Sequence, residues 1–156
     1  MHRFEEQRST LALAEGLAEY YAKNPHLPRL RSMSPEGAEF FRCHDTAHVV
    51  YGCNTSLKHE AIVKLASIFG TTAGFAVLRG YRLHESVSIY KQLKAGEALA
   101  VLLVAPVLIP RTIYRCLRQH KRWPWADFAQ YQQTPLAQIR AEFGIAVPGS
   151  RNASDA

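Results

Sequence analysis

The sequence predicts an all-α fold, a single-domain helical bundle whose central feature is a helical hairpin. Three observations predict it. No run of five or more residues alternates apolar and polar in the manner of a half-buried strand. Apolar residues instead recur at three- and four-residue spacing. Helix start and stop residues punctuate the chain at Pro25, Ser34-Pro35, Gly52, Gly96 and Gly144. At 156 residues the chain is long enough to bury a real core and short enough to be one domain, taken here as residues 1–147 with a polar, disordered tail over 148–156.

The elements follow in order. Residues 9–23 read as an amphipathic helix with Leu13, Leu17, Tyr20 and Tyr21 inward, ended by Pro25 and Pro28. A linker over residues 24–33 carries Arg29 and Arg31. The next helix starts with Ser34 as N-cap, Pro35 at the first helical position and Glu36 in the first turn, and stops at Gly52. Residues 56–69 form the second arm of the hairpin. That arm is apolar around most of its circumference (Leu57, Ala61, Ile62, Leu65, Ile68, Phe69), which is the pattern of a buried helix. After the interruption at Gly70-Thr-Thr-Ala-Gly74 come a short apolar helix at 75–78 and a moderate helix at 84–94. The most apolar helix, 97–119, is expected to break or kink at Pro106 and Pro110. Trp123-Pro-Trp125 marks a corner, followed by a helix over 126–132 and a last one from Thr134-Pro135 to Gly144.

The hairpin carries the chemistry. It contains His44-Asp45-x-x-His48, then eleven residues, then Glu60. On a helix each residue advances about 100°, so His48 falls near 40° from His44 and Asp45 near 100°. Glu39, Arg42 and Thr46 lie on the opposite side, as a solvent face. An unbroken helix would hold His44 and Glu60 about 24 Å apart. A fold-back at Gly52-Cys-Asn-Thr55, with a helix-stopping Gly and cap-forming Asn, Thr and Ser, would return Glu60 to the histidines. Two imidazoles and two carboxylates suit Zn²⁺, and also Mn²⁺ or Fe²⁺. The pattern alone also admits a packed His pair and an exposed Glu60–Lys64 ion pair at i, i+4. Against exposure, Glu60 sits on a helix that reads as buried, where a carboxylate must be paired or coordinated.

The stretch resembles the Coq-four family of ubiquinone (coenzyme Q) biosynthesis proteins, whose signature is HDxxH, eleven residues, then Glu. His44, Asp45, His48 and Glu60 match it without a gap. Cys43, Gly52 and the ending Thr134-Pro-Leu-x-x-Ile-Arg140-x-x-Phe-Gly-Ile145 are also similar to that family, over roughly residues 36–147. The resemblance implies a divalent metal on His44, Asp45, His48 and Glu60, with zinc first and Mn, Fe or Mg as alternatives. It further implies oxidative decarboxylation at ring carbon one of a polyprenylated aromatic acid, with Asp45 or Glu60 as a base, among other ubiquinone biosynthesis proteins. A non-catalytic lipid-binding scaffold for a biosynthetic complex at a membrane is the second reading. Thr46 and Ala47 stand where the family commonly has aromatic residues, which keeps an unrelated metallohydrolase as a third.

Charge and composition bound the partners. A net charge of +6 and a pI near 9.4 favour anionic partners. No zinc-finger or nucleic-acid motif accompanies the charge, so nucleic acid ranks last. Phosphate loops and a Ser/His/Asp arrangement are absent from the sequence. Arg111, Arg115 and Arg118, spaced by four and three, form a basic stripe that is either a lipid head-group contact or a solvated face. Val101, Leu102, Leu103, Val104, Val107, Leu108 and Ile109 are either a core helix or the lining for an isoprenoid tail. Cys43, Cys53 and Cys116 have no disulfide-framework spacing and read as reduced core or turn residues. The start of the sequence has no apolar h-region, and the apolar run at 98–110 is short of the ~20 residues a spanning helix needs. These features place the protein in the cytoplasm or peripherally on the inner face of a membrane, with a homo-oligomer open.

Overall fold

Six α-helices carry the described chain: α1 (Leu13–Lys23), α2 (Pro35–Val50), α3 (Leu57–Phe69), α4 (Leu78–Tyr81), α5 (Ala95–Leu117) and α6 (Leu136–Phe143). The computed structural model describes residues 2–25, 27, 33–82 and 95–148, with the backbone alone over 95–102. Among these residues β structure is limited to two isolated bridges, Ala12 with Pro135 and Thr71 with Trp123. The fold is all-α. The expected helix at 84–94 and the tail beyond Pro148 lie outside the described residues.

Helix α2 is the centre. It contacts α1, α3, α4, α6 and the 3₁₀ turn at Arg3–Glu5. Its start follows the sequence: Ser34 Oγ accepts from the Gly37 N–H at 3.1 Å, and Pro35 opens the helix. Every residue from Cys43 to Val50 is buried. The solvent face expected from Glu39, Arg42 and Thr46 therefore ends at Arg42. Thr46 is buried, and its hydroxyl is satisfied by the Arg42 carbonyl one turn back at 2.8 Å, so burial costs it no unmet donor.

The ends of α1 and α6 cap each other. The N–H groups of Leu13 and Ala14 donate to the carbonyls of Thr134 and Gln132, at 3.1 and 3.0 Å. In return, Leu136 and Ala137 donate to the carbonyls of Leu11 and Ser9, at 2.8 and 2.9 Å. Each helix start meets its orphan donors with the other's lead-in segment. This explains two departures from expectation. Residues 9–12 are extended rather than helical, and the helix expected over 126–132 shrinks to a 3₁₀ turn at Ala129–Tyr131, because those backbones serve as caps. Tyr21, expected inward, is exposed on α1, while Leu13 and Tyr20 are buried. Between α3 and α4, Gly74–Val77 forms a 3₁₀ turn where a short helix at 75–78 was expected.

The most apolar segment narrows the expectations set for it. Helix α5 runs through Pro106 and Pro110 without a break. Both prolines sit at exposed positions, where water can satisfy the carbonyls their rings displace. From Leu103 onward it also does not pack as a core helix, one of the two readings of that run. Leu103, Val104, Val107 and Ile109 are exposed, and only Leu108 packs against the core; the side chains of Val101 and Leu102 lie outside the described residues. Among the described side chains of α5, Thr112 and Cys116 are buried and Leu108 is half-buried; among the described residues the helix rests on α3. Likewise α3 is buried on one side only, at Ile62, Val63, Ala66 and Ser67, and is half-open elsewhere. Among the described residues no helix is long and apolar enough to cross a membrane.

Candidate metal centre

The fold-back is a defined motif. After Val50 the chain turns at Gly52, in the left-handed region at φ 63°, with Gly52 N–H donating to Val49 O and Cys53 N–H to His48 O at 2.8 Å. This is the Schellman pattern. A Cβ on Gly52 would meet Val147 Cγ1 at 2.7 Å, so both conformation and space require glycine there. The motif has a consequence for the site. It carries the Cys53 carbonyl under the His48 ring, where it lies 3.2 Å from Nδ1.

The hairpin brings His44, His48 and Glu60 together, with one ligand atom of each within 4.8 Å of the others. His48 Nε2 lies 3.1 Å from Glu60 Oε1, and His44 Nε2 lies 3.7 Å from Glu60 Oε2. A tetrahedral ion with bonds near 2.0–2.1 Å spaces its ligands roughly 3.3 Å apart, between those two distances. The group can hold a metal ion.

Local chemistry favours that use. A carbonyl only accepts, so the proton on the His48 ring sits on Nδ1, facing Cys53. In the neutral ring, Nε2 is then a bare lone pair aimed at a carboxylate. That contact repels unless a proton or a cation lies between. Neither the His48 Nε2 nor either nitrogen of His44 has a partner with hydrogen-bond geometry, although all three are buried. Buried polar atoms are nearly always satisfied, so two orphans facing one carboxylate, His44 Nε2 and His48 Nε2 against Glu60, form an arrangement that a divalent cation can satisfy. Burial pulls the His48 imidazolium down, but contact with Glu60 and the charge of Asp45 outweigh it and hold its pKa above the ordinary value. Burial likewise would raise Glu60, yet the neighbouring histidines and Lys64 hold its carboxyl below the usual range. Both shifts favour a cation on the nitrogen side and an anion on the oxygen side.

Aromatic rings wall the site. Tyr20 stacks on His48 at 5.4 Å, Phe40 stacks on His44 at 5.8 Å, and Tyr81 meets His44 edge-on at 5.7 Å. The Lys64 ammonium lies over the Tyr81 ring at 5.3 Å. The Glu60 side chain keeps 22% of its exposure, which gives the centre an open side.

Asp45, the fourth residue of the expected ligand set, is not in this group. Its Oδ2 accepts from the Tyr21 hydroxyl at 3.0 Å and its Oδ1 lies 3.8 Å from His44 Nδ1, on the ring edge away from Glu60. The 100° step from His44 that put Asp45 on the same broad face is enough to point it past this group. Cys43, Cys53 and Cys116 are buried free thiols outside the group, as core or turn residues should be.

The arginine stripe is divided. Arg111 and Arg115 line a cavity of about 100 Å³ with Lys58, Ile62 and Leu108, and Arg115 also donates to the Val147 carbonyl at 3.3 Å. Arg118 is exposed and does not line it. None of His44, His48 and Glu60 does so either.

Arg140 is the residue whose role sequence reasoning missed. Its guanidinium is buried and donates to the carbonyls of Val49, Val50, Phe4 and Glu6. It thereby satisfies the last turn of α2, immediately after His48, and ties it to the N-terminal segment. Burial lowers its pKa to about 10. An arginine four residues after Leu136 and three before Phe143, on the apolar face of its helix, was the available signal.

Comparison with known proteins adds nothing to this geometry: no family model, no curated protein and no solved structure matches the chain.

Proposed function

We propose that this protein is a metal-dependent enzyme with a mononuclear centre on His44, His48 and Glu60, acting on a hydrophobic aromatic acid. The observation that supports it is the donor count. Three protein ligands leave one position of a four-coordinate ion open, which is the pattern of catalytic rather than structural zinc. Zinc is the first choice of metal for a set of two imidazoles and one carboxylate, with Mn²⁺ or Fe²⁺ next. The spacing HDxxH, eleven residues, Glu supplies the substrate class through its resemblance to the Coq-four family: a polyprenylated aromatic acid of ubiquinone biosynthesis that loses its ring carboxylate.

A divalent cation here would supply Lewis acidity to a carboxylate or phenolate oxygen in the open position. The chain's own residues do the rest. Cys53 fixes the His48 tautomer through its carbonyl, and Tyr20 and Phe40 hold the two rings by stacking. Lys64, one turn beyond Glu60, adds a positive charge beside the site that suits an anionic substrate. Tyr81 and Phe40 exclude water from the His44 side.

The test combines metal content with turnover. Purified protein should carry about one equivalent of divalent metal, and His44→Ala with His48→Ala should lose both the metal and release of CO₂ from a prenylated hydroxybenzoate. Full metal content with no turnover on any such acid would move the protein to the scaffold reading. The exposed Leu103, Val107 and Tyr114 on α5 favour that second reading, because such residues suit a lipid surface.

A further inference from the structure

The two histidines of the centre are not equally held. His48 has its outer nitrogen set by the Cys53 carbonyl at 3.2 Å. His44 has no partner on Nδ1. If Nε2 of His44 ligates, its proton must sit on Nδ1, and a buried N–H needs an acceptor. Among the described residues the acceptor facing it is Asp45 Oδ1, 3.8 Å away and itself buried. The other oxygen of the same carboxylate is already anchored by the Tyr21 hydroxyl at 3.0 Å. We propose that Asp45 is a positioning residue and not a ligand: with metal bound it accepts the His44 Nδ1–H, and Tyr21 holds it in place from α1. This rests on the metal-centre reading above and deepens it.

Charge supports the assignment. A buried carboxylate needs a compensating charge. Among the described residues His44 is the only one in ion-pair range of Asp45. A divalent cation on neutral His44 and His48 carries two positive charges. Glu60 cancels one directly and Asp45 cancels the other through the His44 ring, so the buried cluster becomes neutral. A carboxylate–histidine–metal chain of this kind orients the ring, fixes the tautomer and raises the basicity of the ligating nitrogen. The required movement is small, the difference between 3.8 Å and a hydrogen bond.

The experiment uses full-length protein loaded with Co²⁺ or Zn²⁺. Asp45→Ala should weaken Co²⁺ binding about 10–100-fold while leaving the visible ligand-field bands of the bound ion unmoved. Asp45→Asn should bind Co²⁺ more weakly than wild type but more tightly than Asp45→Ala, because its amide oxygen still accepts from Nδ1–H while its charge is gone. Glu60→Gln, which alters a ligand, should move the bands. In the zinc-loaded wild type, nitrogen-15 labelling of histidine should show two slowly exchanging Nδ1–H protons, from His44 and His48. Only the His48 proton should survive in Asp45→Ala, and the His44 proton should exchange faster in Tyr21→Phe. The wild-type spectrum and the Asn variant keep the test valid if Asp45→Ala does not fold. Bands that shift in Asp45→Ala as they do in Glu60→Gln, or a His44 proton indifferent to Asp45, would overturn the assignment and make Asp45 a ligand or a bystander. Wild type that takes up no Co²⁺ would instead remove the metal centre itself.

Discussion

Helix α2 and helix α5 exchange the roles their compositions assign. Helix α2 carries His44, Asp45, Thr46 and His48, yet is buried on every side from Cys43 onward. Helix α5 is the most apolar segment in the chain, yet exposes Leu103, Val107, Tyr114 and Leu117 at 59–74%. Apolarity sets what a helix can bury, and the number of elements packed round it sets what it does bury. Among the described residues, α2 has α1, α3, α4, α6 and the first 3₁₀ turn about it, and α5 rests on α3. The polar groups of α2 tolerate this because nearly all are answered: Thr46 by a backbone carbonyl, Asp45 by Tyr21, the helix end by Arg140. The imidazole nitrogens facing Glu60 are the exception, and that exception marks the site.

Breaking the answer at the end of α2 should have the largest effect. Arg140→Met fills similar space but takes a donor from four carbonyls, and two of them, Val50 and Phe4, are left without one, while Val49 and Glu6 keep the N–H groups of Gly52 and Ser9. Each unmet buried acceptor costs about 1–3 kcal/mol, so a loss of about 2–6 kcal/mol is expected by urea denaturation. Filling the one unanswered place should act in the opposite direction by a similar amount. Free zinc at about 100 times its dissociation constant should raise stability by about 2.7 kcal/mol in wild type, read as a higher Tm, and much less in Glu60→Gln. Gly52→Ala comes next, at about 2 kcal/mol, from a left-handed φ and a Cβ against Val147. Because the same turn sets the Cys53 carbonyl under His48, this variant should also bind Zn²⁺ more weakly in a competition titration with a chromogenic chelator, which a stability loss in another part of the chain would not cause.

The parts of this that were legible in the sequence are those decided locally. Ser34, Pro35 and Gly52 set their own backbone whatever surrounds them, so the bounds of α2 and the fold-back followed from chemistry within a few residues. Given the fold-back, Glu60 had to return near the histidines. What failed was decided at a distance. Residues 9–12 and 126–132 gave up helical conformation to cap α1 and α6, across more than a hundred residues of chain. Tyr21 is 37% exposed and still reaches Asp45 with its hydroxyl, a partnership that no periodicity reveals. Asp45 falls outside the His44–His48–Glu60 group, a distinction beyond a helical wheel, which resolves faces and not the last few ångströms of a side chain. Whether the apolar run of α5 is core or surface stayed open in the sequence because a hydrophobic run says nothing about how many neighbours the fold supplies.

The smallest expected effect falls on α5 and tests that last point. If Val107 and Leu103 face water in the folded chain, as their 69% and 74% exposure states, then replacing them with glutamine removes little apolar contact. Glutamine is also a better helix former than valine, which offsets part of any loss at position 107. Val107→Gln and Leu103→Gln should each change unfolding free energy by no more than about 0.5 kcal/mol, as exposed substitutions do. The same change at Val49 of α2, which is fully buried against Gly16, should cost several times more. A loss above about 2 kcal/mol at Val107, comparable with core truncations, would mean that α5 is covered after all. The contrast between the two helices would then collapse into the ordinary rule that the most apolar segment lies inside.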